Sequence, residues 1–515
     1  MPRMGERLAK RLNDNIRELD RQLGVETNFD VLKRKIEFDQ ERAVLFFVDG
    51  LVDDAMMADV LRGLSLAEKE NLHFDTFPKV LHRYLSFIEV ETADTYDEIV
   101  NQVLSGQLAF LMDGHDQAIM LDVRTYPARD PEEPDLEKVV RGSRDGFTET
   151  LVYNTALIRR RLRDPQLRME ILQAGTRSKS DIVVAYIADI ANPDLVESVK
   201  EKIRKINIDG IPMAEKSLEE LITPGSAWNP YPRVRYTERP DVVAAHLLEG
   251  NVVVLVDTSP SVMILPVTIF HHLQHAEEFR QNPAMGVFVR WVRYLGMATS
   301  LFVLPAWLMV SLQPELLPPA LRFIGPEEVG RVPLFLQFVL AEIAIEMIRL
   351  STIHTPSAIA TALGIIAAVL VGDIAVQIGL FAPEVILYSV IAYIGQFLTP
   401  SQELALANRL SRFFLLLMVG LFGAGGFAAG VLIWFIYLYR TRSFGVPYLW
   451  PLVPFNWPAL KSMLIRPPVP LHHLRPEILK PRERVHQPRP RLAPVRKTRG
   501  VPDGGRSRRR RWKRD

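Results

Sequence analysis

Through the first 280 residues, apolar positions gather in short runs that each close on an aspartate. Val44-Leu45-Phe46-Phe47-Val48 runs into Asp49-Gly50, and Leu108-Ala109-Phe110-Leu111-Met112 into Asp113-Gly114. Ile182-Val183-Val184-Ala185-Tyr186-Ile187-Ala188 meets Asp189, and Val252-Val253-Val254-Leu255-Val256 meets Asp257. Runs this short, rich in β-branched residues and followed by turn formers, predict buried strands. Between them, Leu195, Val196, Val199 and Ile203 recur at helical spacing, so the region reads as α/β. Asp49 and Asp189 stand 140 residues apart, and Asp113 and Asp257 stand 144 apart. That spacing predicts a duplication, each half holding a strand–Asp–helix unit and then a hairpin. The second hairpin strands would be Ala118-Ile119-Met120-Leu121 and Ser261-Val262-Met263-Ile264-Leu265. The joint falls in 140–175, where Leu157-Ile158-Arg159-Arg160-Arg161-Leu162 reads as a charged helix between lobes.

Beyond Asn282-Pro283 the short runs give way to long apolar stretches, at 287–312, 332–348, 357–378, 383–398 and 413–439. About 20 apolar residues cross a ~30 Å hydrocarbon layer as a helix, so four to five membrane spans are predicted. Arg290, Arg293, Arg349, Arg409, Arg412, Arg440 and Arg442 lie at the ends of these stretches, and the rule that cationic loops stay inside orients them. The Pro-rich loop 313–331, with three Glu against two Arg, would be external. Arginines flank the last stretch on both sides, and Gly423-Ala424-Gly425-Gly426 interrupts it. It is either a helical hairpin turning at the glycines or one straight fifth span, which would place the C-terminal tail outside.

Composition averages conceal this division: 515 residues carry a formal charge of only +2. From Pro470 to Asp515 there are 16 Lys+Arg against 4 Asp+Glu, so this tail is near +12 and the remainder near −10. The tail cannot bury a core and is expected to be disordered. Its Arg508, Arg509, Arg510, Arg511 and Trp512 would attract anionic lipid headgroups at ~1 kcal/mol per charge near the surface. Nucleic acid is not expected as a partner for a membrane-tethered tail. The absence of cysteine excludes disulfides, thiolate metal sites and cysteine nucleophiles. The first two dozen residues contain no apolar core of the kind a secretion signal needs, so the N-terminal region is expected in the cytosol.

Several stretches resemble the GerA family of spore germination proteins, the A-subunit type. Arg141-Gly142-Ser143-Arg144-Asp145-Gly146-Phe147-Thr148-Glu149, with Asn154 and Leu157-Ile158-Arg159-Arg160-Arg161, is similar to one of its patterns. Asp257-Thr258-Ser259-Pro260, Arg280-Gln281-Asn282-Pro283 and Glu342-x-x-x-Glu346-x-x-Arg349 are similar to others, as are Gln396-Phe397-Leu398-Thr399-Pro400 and Phe444-Gly445-Val446-Pro447-Tyr448-Leu449-Trp450-Pro451. Ser143 stands where the family usually has proline, and Arg349-Leu350-Ser351-Thr352-Ile353-His354 replaces its usual Arg-Glu-Ala-Gly-Ile-Arg. Together with His275-Ala276-Glu277-Glu278 and Phe323-Ile324-Gly325-Pro326, these departures look like a sporulation branch rather than a nutrient-receptor subunit. The resemblance implies a multi-pass protein of the spore inner membrane that acts in germination with other germination membrane proteins. It also implies a homo-oligomeric ion channel whose soluble domain and tail face the core.

Among candidate residues, Glu342 and Glu346 are the strongest signal, since they share one helix face inside an apolar stretch. A carboxylate in lipid costs at least ~2.5 kcal/mol, so these acids must face protein, water or a cation. Asp373 is a third such acid. They either line a cation pathway, with oligomer symmetry repeating the ring, or pair with Arg349 or Arg412 inside one subunit. Gly364 and Gly372, with neighbouring alanines, would allow close helix packing. Asp257-x-Ser259-x-Ser261 has the spacing of a divalent-metal site but also suits a turn in which the aspartate caps backbone donors. His271, His272 and His275 with Glu277 and Glu278 lack a further ligand pair in the sequence, and an interfacial helix explains them as well. No cofactor and no metal are expected. Neither a phosphate-binding loop nor a nucleophile elbow occurs, and His115-Asp116 stands alone, so no enzyme is predicted.

The expected organisation is an N-terminal amphipathic helix (1–35), two α/β lobes (36–150 and 151–282), a helical membrane domain (283–465) and a basic, Pro-rich disordered tail (466–515). The expected function is an oligomeric channel releasing cations from the dormant spore. The alternative is a non-conducting scaffold that clusters germination receptors.

Overall fold

A computed structural model describes residues 6–38, 41–67, 90–124, 134, 137–223, 225, 228–327, 330–353, 364–365, 374–471 and 473–486. The first lobe opens with α1 (Leu12–Leu23), whose Leu12, Ile16, Leu19 and Leu23 share one face and whose end is closed by Gly24 in the left-handed region (φ 64). The chain continues through β1 (Val31–Phe38), β2 (Glu41–Val48), α2 (Asp54–Ala67), β3 (Val90–Ala93), α3 (Tyr96–Leu104), β4 (Leu108–Met112) and β5 (Ala118–Leu121). The second lobe runs through α4 (Leu151–Arg161), β6 (Leu167–Ala174), β7 (Ser180–Ile187), α5 (Pro193–Arg204), α6 (Ala214–Ile222), β8 (Arg235–Thr237), α7 (Pro240–Glu249), β9 (Val252–Val256) and β10 (Val262–Leu265).

Both sheets are antiparallel throughout, with strand orders β1-β2-β4-β5-β3 and β6-β7-β9-β10-β8. The orders match position for position, so the lobes repeat one topology. Each central strand is buried on both faces. Val253 and Leu255 join the core under α4 and α7, while Val252, Val254 and Val256 join the core under α5 and α6. Two-sided burial explains why these strands read as continuous apolar runs rather than alternating ones.

The strand-end aspartates seen in the sequence have parallel tasks. Asp113 Oδ1 accepts from Leu12 N (3.0 Å) at the start of α1, and Asp257 Oδ1 accepts from Leu151 N (3.2 Å) at the start of α4. Each caps the first helix of its own lobe. Helix α1 is therefore the counterpart of α4 and an integral part of lobe 1, not a separate segment. A boundary at residue 35 would cut through β1, which supplies the sheet edge. The lobes are joined through Arg159, which is fully buried and bridges to Asp30 (Nη2–Oδ2 3.0 Å). Beside it, Asn28 Oδ1 accepts from Met169 N of β6.

Two short helices, α8 (Ile269–Leu273) and α9 (Ala276–Arg280), lead into a helical region. It contains α10 (Pro283–Leu312), α11 (Leu334–Ile353), α12 (Pro383–Phe397), α13 (Gln402–Arg440) and α14 (Trp457–Leu464). By length and composition, α10 and α13 could each cross a membrane. Around an apolar core that includes Leu304, Trp307, Leu308 and Phe338, this region exposes apolar residues and buries polar ones. Phe288, Leu295, Leu410, Leu417, Leu421, Phe422 and Leu432 are exposed, whereas Arg290, Ser300, Gln337, Glu342, Asn408 and Arg412 are buried. The predicted stretch 357–378 lies mostly outside the described residues.

Helix α13 is not one straight rod. Gly423 has φ 58 and ψ −138, and the chain reverses there. A Cβ built on Gly430 would sit 3.3 Å from Met418 Cβ, and Tyr231 OH is bonded by both Ser411 Oγ (2.8 Å) and Trp434 Nε1 (2.6 Å). Residues on both sides of the turn thus reach the same point on lobe 2. Of the two readings of this stretch, the hairpin is the one the contacts form.

The tail is partly folded, which corrects its expected disorder from residue 466. Arg466 donates to the carbonyls of Glu278, Phe279 and Gln281. Arg475 is buried and donates to Leu248 O (2.8 Å), and Leu479 is also buried. Arginines that satisfy carbonyls left over at helix ends hold this segment against lobe 2. The basic end with Arg508, Arg509, Arg510, Arg511 and Trp512 lies outside the described residues.

Candidate functional site

Two groups of buried charge occupy the end of the helical region that faces lobe 2. The first lies between α11 and α13. Glu342 is buried, and its Oε2 accepts from Arg412 Nη2 (2.6 Å) with Arg409 Nε at 3.7 Å. One turn later, Glu346 accepts from Arg349 Nε (3.0 Å) and lies against Arg409 Nη1. Arg412 Nη1 also donates to Ser300 O of α10. Three helices thus meet on one network of two carboxylates and three guanidinium groups. Of the two readings of these acids, pairing within one chain is the geometry present, and Glu342 has both Arg409 and Arg412 as neighbours. Asn408 is buried in the same turn, and neither polar atom of its side chain has a hydrogen-bond partner among the described residues.

The second group ties lobe 2 to α10, a pairing with no direct sign in the sequence. Glu278 is fully buried, accepts from Arg290 Nε (2.7 Å) and pairs with Arg293. Arg290 Nη1 donates to Met463 O (2.8 Å) and Ser462 O (3.1 Å) of α14. Arg290 and Arg293 read in the sequence as orienting charges at a span's start. In the fold they are consumed by the carboxylate of Glu278, 12 and 15 residues upstream on α9.

The histidines of α8 are packed beneath these groups. Burial, with Arg235 nearby, pushes the His271 imidazole down to about 4. Burial, followed by the charges of Arg235 and His271, lowers His272 to about 3. His275 falls to about 4 through burial and the charges of Arg293, Arg235 and Arg239. His246 of α7 is lowered in the same way, by burial and then Arg235. Glu249, partly exposed at the end of α7, is raised to about 7 by burial.

His246, Glu249 and His271 offer ligand-type atoms within 4.8 Å of one another, a set that crosses elements and was invisible in the sequence. It does not fit a cation. His271 Nδ1 accepts from Thr268 N (3.0 Å), so in the neutral ring the proton sits on Nε2 and no lone pair remains there. Arg235 Nη1 lies 3.4 Å from His246 Nε2, a positive charge where a metal would need to sit. The Asp257-x-Ser259-x-Ser261 triplet also has other work. Asp257 caps α4, and Ser259 Oγ accepts from Ser261 N (3.1 Å) in the turn.

Asp373 and Gly372 lie outside the described residues. A Cβ at Gly364 meets nothing within 4 Å among the described residues. The close helix contacts fall at other glycines. A Cβ at Gly395 of α12 would strike Gly296 O of α10, and one at Gly420 would sit 2.7 Å from Phe335 of α11. The motif around residue 147 is structural: Phe147 enters the lobe 2 core, Asn154 bonds both backbone groups of Thr148, and Arg161 pairs with Asp145.

A repeated antiparallel α/β domain leading into a helical region with buried arginine–glutamate networks defines the class, and family comparison names it. The family model described as Bacillus/Clostridium GerA spore germination protein matches residues 17–478, and the chain belongs to that family. It is 48% identical over 466 residues to stage V sporulation protein AF of Bacillus subtilis (strain 168), covering 90% of this chain and 94% of that one. It is 29% identical over 487 residues to spore germination protein KA of the same organism, covering 93% and 89%. The N-terminal domain of the A subunit of the Bacillus megaterium germinant receptor GerK3 aligns with 51% of this chain and 97% of its own, at 24% identity and TM-score 0.40.

Proposed function

We propose that this chain is a multi-pass membrane subunit of the spore germination machinery, with its lobes and tail on the core side of the inner membrane. We further propose that it assembles with copies of itself into a cation-conducting ring, alongside other germination membrane proteins. The exposed apolar residues and the buried charges of the helical region support membrane insertion, because lipid accepts apolar side chains on the surface and charges must be sheltered inside.

The observation that carries the conduction reading is the network at Glu342. A carboxylate held between three helices by Arg409 and Arg412 can be uncovered by a small shift of α11 against α13. The described arrangement is then the closed one, with Glu342 neutralised. Opening separates Glu342 from Arg412 and presents the acid to a hydrated path, which ring symmetry repeats. Glu346 and Asp373 are the accompanying acids.

Purified full-length chain in liposomes, alone and with other germination proteins, is expected to pass K⁺ or Na⁺. Glu342→Gln should lower that flux by about tenfold or more, since Arg412 then stands uncompensated in the path. No flux above empty vesicles in either setting would contradict conduction. A second reading would then stand, a scaffold that clusters germination receptors. It is favoured by the fact that both Glu342 and Glu346 are already paired within one chain.

A further inference from the structure

A pocket of about 410 Å³ opens between the two buried charge groups. Arg293 of α10 and Arg349 of α11 border it, together with His275 and with Gln396 and Thr399 at the turn from α12 to α13. Phe397, Leu398 and Leu406 form an apolar side, and each is more than a third exposed.

Among the described residues, cationic side chains outnumber acidic ones here. Arg349, Arg409 and Arg412 surround Glu342 and Glu346, and Arg290, Arg293 and Arg466 surround Glu278. Six guanidinium groups face three carboxylates. Glu277, whose carboxylate is engaged by Val140 N and Gln281, still leaves two positive charges over. Buried cations without matching anions are costly, so the junction calls for an anion. Two wall residues independently call for polar partners. Gln396 Oε1 and Thr399 Oγ1 belong to side chains more than nine-tenths buried, and neither atom has a hydrogen-bond partner among the described residues.

We propose that this pocket binds the phosphate of an anionic glycerophospholipid. The inference rests on the membrane reading above, which places this end of the helices at the headgroup layer. Arg293 and Arg349 face the phosphate oxygens, and Thr399 donates its hydroxyl. Gln396 Oε1 accepts from a headgroup hydroxyl, such as the glycerol of phosphatidylglycerol, which a free phosphate does not supply. Acyl chains lie along Phe397, Leu398 and Leu406. Because Arg293 is bound to the Glu278 group and Arg349 to the Glu346 group, the lipid bridges the lobe contact and the helix contact.

The test uses the full chain in vesicles of phosphatidylglycerol mixed with phosphatidylcholine, extracted in mild detergent, with retained lipid counted by mass spectrometry. Phosphatidylglycerol should be retained over phosphatidylcholine. The Arg349→Gln, Thr399→Val double variant should lose that preference by about tenfold, the effect of roughly one charge-assisted contact. The variant should remain folded in phosphatidylcholine alone, read by a cooperative melt, because Arg409 still lies against Glu346. Inorganic phosphate is the second arm. If it stabilises the parent but not the variant while no lipid preference appears, the oxyanion site stands and the lipid source is overturned. Equal retention of both lipids by parent and variant, with no phosphate effect, overturns the site. A chain that never associates with vesicles sinks the membrane reading instead.

Discussion

At the scale of single residues, the molecule is organised by buried arginines with assigned carboxylates. Breaking such a pair on one side leaves an unpaired charge and costs about 3–5 kcal/mol, whereas replacing both partners costs far less. Arg159→Leu should therefore lower the urea midpoint of the soluble lobes sharply, and adding Asp30→Leu should restore much of it. If the single and double variants unfold together, the pair does not join the lobes. The histidines predict a pH response. With folded-state values near 3–4 against 6.5 unfolded, His271, His272 and His275 stay neutral in the fold while the unfolded chain takes up protons. Their stability contribution is thus present above about pH 6.5 and is lost as pH falls toward 4. Glu249, raised to about 7, acts oppositely and loses its contribution as pH rises from about 4.5 to 7. The histidines outnumber it, so net stability should fall on acidification. His272→Phe should flatten that slope without loss of stability at pH 7.5, because neither ring nitrogen of His272 makes a hydrogen bond of good geometry among the described residues. An unchanged slope would refute the assignment. Glu342 was legible in the sequence because an acid in an apolar stretch demands a partner. The Glu278 group was not, since Glu278 sits in a polar segment and its need appears only once the fold buries it.

At the scale of elements, the central strands could be read because two-sided burial writes them as apolar runs. The edge strands β1 and β6 could not. Lys33-Arg34-Lys35-Ile36-Glu37 presents charge on the solvent side, and its pairing with β2 is set by the hairpin rather than by hydrophobicity. The duplication was visible through spacing alone, and its physical content is the aspartate cap on α1 and α4. The glycine interruption in α13 left two topologies open because sequence cannot tell a flexible site from a reversal. A disulfide test separates them cleanly in a chain without cysteine. Met418→Cys with Gly430→Cys should cross-link on mild oxidation, given Cβ positions 3.3 Å apart across the hairpin. A straight helix would hold the two about 18 Å apart at 1.5 Å per residue, and no cross-link would form.

At the scale of the whole molecule, the hairpin decides where the segment after it lies. Its two arms return to Tyr231, the segment after it packs on lobe 2 through Arg466 and Arg475, and the far turn is met by Gln313 at the end of α10. Lobes and the tail as far as residue 486 therefore lie at one end of the helical region, with the loop after α10 at the other. Single cysteines at Arg177, Glu483 and Glu315, all on accessible surface, read this directly in sealed vesicles with a membrane-impermeant thiol reagent. Arg177→Cys and Glu483→Cys should label from the same face and Glu315→Cys from the opposite one. Labelling of all three from one face would mean that the helices do not cross a bilayer, and labelling of Glu483→Cys with Glu315→Cys would mean that the last helix does not turn back.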